Sequence, residues 1–231
     1  MALLECRQLT KWYGNVKALD AVNLSLEPGR IVGLVGPNGS GKTTLIKLAQ
    51  HLLTPTEGEI LVAGKTPGAE TKAMVSYLPD RDFLPGWMNV DSLLDFYEDF
   101  YEDFDTARAE QMLNELGIDP RMNFKKLSKG TREKVQLIMS MSRCAAVYLL
   151  DEPIAGVDPA ARDYILRTIL GNYTQNGLVL ISTHLIADVE PVLDEVVFLK
   201  QGHVELHDSA DNLRAKTGMS VDGYFRELYR C

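Results

Sequence analysis

Ile31-Val32-Gly33-Leu34-Val35-Gly36-Pro37-Asn38-Gly39-Ser40-Gly41-Lys42-Thr43 decides the fold. The run Ile31 to Val35 suits a short central strand buried on both faces. Thr44 through Leu52 reads as a helix, so a glycine-rich loop joins a strand to a helix, the context that confirms the motif. Backbone N–H groups, freed from side-chain bulk by Gly36, Gly39 and Gly41, can surround phosphate oxygens, with Asn38 and Ser40 completing the loop. Lys42 supplies a point charge for β- and γ-phosphates, the Thr43 hydroxyl can ligate Mg²⁺, and Thr44 closes the cradle. The loop implies a bound nucleoside triphosphate and no more, since many unrelated enzymes share it.

A second stretch narrows the chemistry. Val147-Tyr148-Leu149-Leu150-Asp151-Glu152-Pro153 is an apolar strand ending in two acids. Asp151 at the strand end belongs beside the Mg²⁺ shell. Glu152 is then placed to orient or deprotonate an attacking water. Two acids at a strand end can equally be a helix N-cap or a solvated turn; the glycine loop upstream favours the site.

Outward from these stretches, strands and helices alternate. Val22, Leu24 and Leu26 alternate with polar residues before Pro28-Gly29 turns the chain. Ile60 to Ala63, Val75 to Leu78, Ala145 to Leu150 and Leu178 to Ser182 read as strands, and Val196 to Leu206 as a hairpin turning at Gln201-Gly202. Helices are expected over 132–143 and 163–173. The second half implies an α/β fold with a mainly parallel core sheet flanked by helices, and the first part an antiparallel β region. The expected organisation is one domain over 1–231, with an inserted helical region over about 84–143 and a short tail over 207–231.

Within that region the tetrapeptide Tyr-Glu-Asp-Phe occurs twice, at 97–100 and 101–104. Leu93, Phe96, Tyr97, Phe100, Tyr101 and Phe104 share one helical face and the acids share the other. The pattern suits an aromatic core face with a solvated acidic face. An aromatic docking surface for a partner is the other reading.

Composition excludes several classes. With 24 Lys plus Arg against 32 Asp plus Glu, the 231-residue chain carries a net charge of −8. Nucleic acid is therefore not expected as a main partner, because backbone phosphates require a basic surface. Cys6, Cys144 and Cys231 are scattered, which fits a reduced, cytoplasmic setting and argues against a cysteine metal site. Met1 to Arg7 meets acid and base too early for a secretory apolar core. No apolar stretch approaches the roughly 18–20 residues that cross a bilayer. A membrane role would need another polypeptide.

Leu127-Ser128-Lys129-Gly130-Thr131, one helix ahead of the Asp-Glu-Pro strand, is more selective than the glycine loop. It resembles the signature sequence of ATP-binding-cassette (ABC) ATPases, and the resemblance runs from Leu3 to about Leu206. It implies ATP and Mg²⁺ as cofactors. It also implies a second ATPase subunit, identical or different, whose bound ATP is closed over by Ser128 and the Gly130 amide. A helix N-terminus there would offer unpaired N–H donors to that phosphate. By the same resemblance, Tyr13 stacks on adenine, with Trp12 beside it; a strand aromatic packed in a core is the plain alternative. Asp158, in Ala155-Gly156-Val157-Asp158, joins the loop between the two ATP sites. His184, after Ser182-Thr183, contacts the γ-phosphate.

Three positions depart from the family pattern. Tyr77-Leu78-Pro79 leads to Asp80 where the family has Gln; a carboxylate can ligate Mg²⁺ but, ionised, cannot donate a hydrogen bond. Lys129 and Thr131 replace Gly and Gln in the signature. Lys129 either adds a cation near the cross-subunit phosphate or points to water.

The resemblance implies the ATP-hydrolysing subunit of an ABC transporter, bound at the cytoplasmic face through an integral-membrane permease on a separate chain. The signature variant, Asp80 and the short length look similar to bacterial drug- or peptide-exporter subunits. The rival class is a non-transport ABC ATPase acting on ribosomes or DNA.

Overall fold

The computed structural model describes residues 1–155, 157 and 159–229. Two sheets carry the fold. Strands β1 (Leu4–Tyr13), β2 (Val16–Leu26) and β4 (Glu57–Val62) form an antiparallel sheet in the order β2-β1-β4. The larger sheet has the order β5 (Val75–Leu78), β6 (Val147–Asp151), β7 (Leu178–Thr183), β3 (Arg30–Val35), β8 (Glu195–Lys200), β9 (His203–Ser209). Neighbours there run parallel except β9, which returns on β8 as a hairpin.

Every residue of β6 and β7 is buried. That burial on both faces explains why these strands read as continuous apolar runs rather than alternating ones. One face, with Val32, Leu34, Leu149 and Leu180, packs on α1 (Lys42–Ala49) and on the antiparallel sheet through Leu9, Leu24 and Ile60. The other, with Ile31, Tyr148, Leu150 and Ile181, packs on α5 (Lys129–Met141) and α6 (Pro159–Asn172) through Leu137, Met141, Ile165 and Ile169.

Between β5 and β6 the chain is helical: α3 (Val90–Phe100), α4 (Thr106–Glu115) and α5, preceded by the short α2 (Ala69–Met74). Asn89, Asp105 and Ser128 cap the three longer helices, each side chain accepting from a backbone N–H three residues on. These caps fix where the helices start. The region has its own core, built on Val90, Leu93, Leu94, Tyr97, Met112, Phe124, Val135 and Ile138. After β7 come α7 (Ile186–Val189), α8 (Ala210–Thr217) and α9 (Val221–Leu228), the last two packing Leu213, Val221 and Phe225 against Phe198.

The aromatic repeat does not form one continuous face. Helix α3 stops at Phe100, and Tyr101 is extended (φ −122°). The stop has a tertiary cause. Arg143, buried at the end of the region, holds the Asp103 carboxylate through both Nε and Nη2 and lies 3.9 Å over the Tyr101 ring. Tyr97 is buried, while Phe96 and Phe100 stack on each other in solvent, 46% and 67% exposed. The expected core face is therefore split, and Asp103 leaves the solvated acidic face to pair with Arg143.

Candidate functional site

Four neighbouring strands deliver the expected site residues at one edge of the sheet. In a parallel sheet the carboxyl ends lie on the same side, where α/β folds place ligands. Leu78 pairs with Leu150, Asp151 with Ser182, and Val35 with Thr183. The residues that follow these ends are Asp80, Glu152, His184 and the glycine loop.

The loop geometry demands glycine at two positions. A Cβ on Gly36 would lie 2.2 Å from the Leu199 carbonyl oxygen and 2.6 Å from Ser40 Oγ. Gly41 has φ +110°, and a Cβ there would lie 2.4 Å from the Ala18 carbonyl oxygen. Lys42 is buried, and its ammonium donates to the carbonyls of Gly36 (2.8 Å) and Pro37 (3.2 Å). Burial pulls its pKa down, against the charges of Glu152 and Asp151. The loop thus holds a desolvated cation on its own carbonyls, ready to exchange them for an anion. Asn38, Gly39 and Thr44 complete the turn and the first helical residues.

Asp151 is buried at the end of β6. Its Oδ1 accepts from Thr43 Oγ1 (3.2 Å) and from Ser182 Oγ, whereas its Oδ2 has no partner among the described residues. Burial pushes the Asp151 carboxyl above its usual range, opposed by the Ser182 and Thr43 hydrogen bonds and reinforced by the charges of Asp80 and Glu152. An unpartnered buried oxygen beside a hydroxyl fits a hard divalent cation such as Mg²⁺, which takes one or two protein oxygens and fills its shell from water and phosphate. The described residues hold no cluster of three or more His, Cys, Asp or Glu able to bind a metal.

The raised carboxyl makes a prediction. A carboxylate whose folded pKa lies above its unfolded value costs stability once it ionises, so stability falls as pH rises through the folded pKa. Asp151→Asn should therefore melt higher than the parent at neutral pH without nucleotide. The difference should shrink as the pH falls through the folded pKa and vanish below the ordinary carboxyl pKa of the unfolded chain. Calorimetry against pH checks it.

Glu152 adopts φ +53°, a left-handed backbone uncommon outside glycine. Its N–H donates to Ser182 O (2.9 Å), and both carboxylate oxygens lie 3.0 Å from Nδ1 of His184. The Glu152 side chain is 16% exposed and that of His184 46%. Strain in the backbone and support from the imidazole together aim one carboxylate into the site. Asp80 is exposed and lines a cleft of about 230 Å³ with Arg81 and Asp82 on one wall, Lys129, Arg132, Glu133 and Gln136 on the other, and Glu152, Pro153 and Ala155 between them.

Ser128 caps α5, accepting from Thr131 N (3.2 Å) and sharing a hydrogen bond with Thr131 Oγ1. Thr131, a departure from the family pattern, thus supports the serine. Gly130 lies in the first turn with open space where a side chain would be. Lys129 is exposed, with Glu133 as a loose partner at 3.8 Å. Tyr13 and Trp12 are 46% and 37% exposed near the tip of the β1–β2 hairpin, so neither is a core aromatic. The Lys17 ammonium lies 4.8 Å from the Trp12 ring. Ala18, beside Lys17 near the same hairpin tip, has its carbonyl oxygen against Gly41, which brings the aromatic pair's end of the hairpin to the loop. Asp158 lies outside the described residues.

Sequence reading missed Ser182, which holds Asp151, and the trio Asp82, Arg132 and Gln136. A serine across the parallel register from a strand-end acid could have signalled the first; nothing local signals the trio.

The ABC transporter family model matches residues 19–155, more than half of the chain. The chain belongs to that family. It is 30% identical to the ABC-type transporter ATP-binding protein EcsA of Bacillus subtilis (strain 168), over 99% of this chain and 96% of that protein. It is 28% identical to the SkfA peptide export ATP-binding protein SkfE of the same organism, over 87% of each. A solved structure described as the ATP binding subunit of an ABC transporter superposes with a TM-score of 0.88 at 28% identity, covering 99% of this chain and all of that one. The fold is that of an ABC ATPase: a mainly parallel sheet with helices, an antiparallel N-terminal sheet and a helical insert.

Proposed function

We propose that this chain is the Mg²⁺-dependent ATP-hydrolysing subunit of an ABC transporter. It pairs with a second ATPase subunit, identical or different, around ATP. It works on an integral-membrane permease of a separate chain, peripherally at the cytoplasmic face. The observation that carries the reading is the convergence of Lys42, Thr43, Asp151 and the Glu152–His184 pair at adjacent strand ends. The glycine loop and Lys42 bind the phosphates, the Lys42 ammonium trading the Gly36 and Pro37 carbonyls for phosphate oxygens. Thr43 and Asp151, with Asp80, hold Mg²⁺, which when bound spreads the charge of the β- and γ-phosphates. Glu152 takes the proton of the attacking water, and His184 holds its carboxylate in place and meets the γ-phosphate. Tyr13 stacks on adenine. Ser128 and Gly130 serve the ATP of the opposite subunit, and Asp158 belongs to the connection between the two sites. An export system is the reading that the resemblance to SkfE supports.

Asp80 makes the site unusual. If it holds the metal but positions water less well than Gln, Asp80→Gln should turn over several-fold faster than the parent at saturating Mg²⁺, and Asp80→Ala slower. Equal steady-state rates for all three would remove Asp80 from the site.

The transport reading is tested by fractionation. The native chain should sediment with membranes and co-purify with an integral membrane protein. Co-purification with ribosomes or DNA from the soluble fraction would instead favour a non-transport ABC ATPase. The net charge of −8 weighs against that alternative.

A further inference from the structure

Asp82 stands two residues beyond Asp80 and reaches across the cleft to the helix that Ser128 caps. Arg132 Nε donates to Asp82 Oδ2 (2.8 Å), and Gln136 Nε2 donates to Asp82 Oδ1 (3.1 Å). Gln136 Oε1 in turn accepts from the backbone N–H of Phe83 (2.9 Å). Arg132 Nη1 donates to the carbonyl of Leu127 (3.0 Å), the residue immediately before Ser128. One continuous set of hydrogen bonds therefore runs from the Asp80 loop to the backbone beside Ser128.

We propose that Asp82, Arg132 and Gln136 are positioning residues that bind the Asp80 loop and the Ser128 helix into one moving body. The proposal rests on the reading that Asp80 serves this chain's own ATP while Ser128 serves the ATP of the opposite subunit. A lone Asp82–Arg132 pair, half exposed on its acid side, would contribute little. The grip comes from Gln136, which is buried with both ends of its amide used. A buried amide satisfied at both ends fixes distance and angle, and breaking it strands a donor or an acceptor. Occupancy of the own site then biases where Ser128 is presented, which is a coupling between two sites through one shared element.

The test uses the full chain carrying Glu152→Gln, together with any ATPase subunit that co-purifies with it. Light scattering gives the ATP concentration at half-maximal dimer formation. A fluorescent ATP analogue, at protein concentrations too low for pairing, gives affinity for the isolated subunit. Asp82→Ala should leave the second within twofold and raise the first about fivefold or more. Arg132→Ala should do the same, and the double variant should be no worse than either single. Exchanging the charges, with D82R and R132D together, should recover part of the loss. Should Asp82→Ala melt below the assay temperature, Arg132→Lys keeps the charge, loses the fork and reads the same quantity. Unmoved dimer midpoints in both singles, or losses that multiply in the double variant, would overturn the proposal. A Glu152→Gln protein with Asp82 intact that never pairs in ATP defeats the sandwich reading beneath it, a distinguishable result.

Discussion

Glu152→Gln is expected to cut steady-state ATP hydrolysis by about 10²–10³-fold while leaving ATP binding intact. The amide has the size of the carboxylate and can still accept from His184, so the local fold survives. It cannot take a proton, so the step that Glu152 serves is the one removed. The left-handed backbone at Glu152 is an independent sign that position matters there, because the fold holds a conformation that costs about 1–3 kcal/mol in order to aim the side chain. Hydrolysis is checked by phosphate release, and binding by equilibrium titration of a fluorescent ATP analogue. Parental turnover would transfer the base to another group.

Arg143→Ala is expected to destabilise the chain by about 3 kcal/mol, lowering its melting temperature by roughly 6–12 °C. The guanidinium is 3% exposed. It donates to both Asp103 oxygens and to the carbonyls of Val75 and Ala73, which ties the helical region to the start of β5. Truncation strands the carboxylate and two backbone acceptors at once, and each buried unsatisfied group costs about 1–3 kcal/mol. The lower part of the summed range applies because Asp103 is 24% exposed and water can reach it. Arg143→Lys should fall between parent and Ala, since an ammonium keeps the charge and loses the planar fork. Calorimetry of the three proteins checks the order. Equal melting temperatures would mean that water replaces these bonds without loss.

The parts of the site legible in sequence are those whose chemistry is local. A strand, a glycine loop and a helix occupy consecutive residues, and Asp151 and Glu152 are adjacent at a strand end, so spacing carries their meaning. The apolar runs at 31–35, 147–150 and 178–182 were readable because strands buried on both faces have no polar alternation to interpret. What escaped was long-range pairing. Asp82 and Gln136 lie 54 residues apart, and Asp103 and Arg143 lie 40 apart. Neither pair has a local signature, and in both cases the acid looks like an ordinary surface charge. The stop of α3 at Phe100 escaped for the same reason. The repeat kept its helical period to Phe104, but the Arg143 contacts favour an extended Tyr101, and tertiary contacts override propensity. Tyr13 and Trp12 were ambiguous between core and ligand because aromatics suit both, and only their exposure on the hairpin decided against the core.

In the proposed cycle ATP joins two such subunits and Glu152 chemistry releases them. The direct measurement is the molar mass of the Glu152→Gln protein by light scattering in Mg²⁺-ATP, in Mg²⁺-ADP and without nucleotide. A paired species is expected in ATP alone, with the unpaired mass in the other two. A Glu152→Gln protein that stays monomeric in ATP and hydrolyses it at the parental rate would contradict both the base and the sandwich.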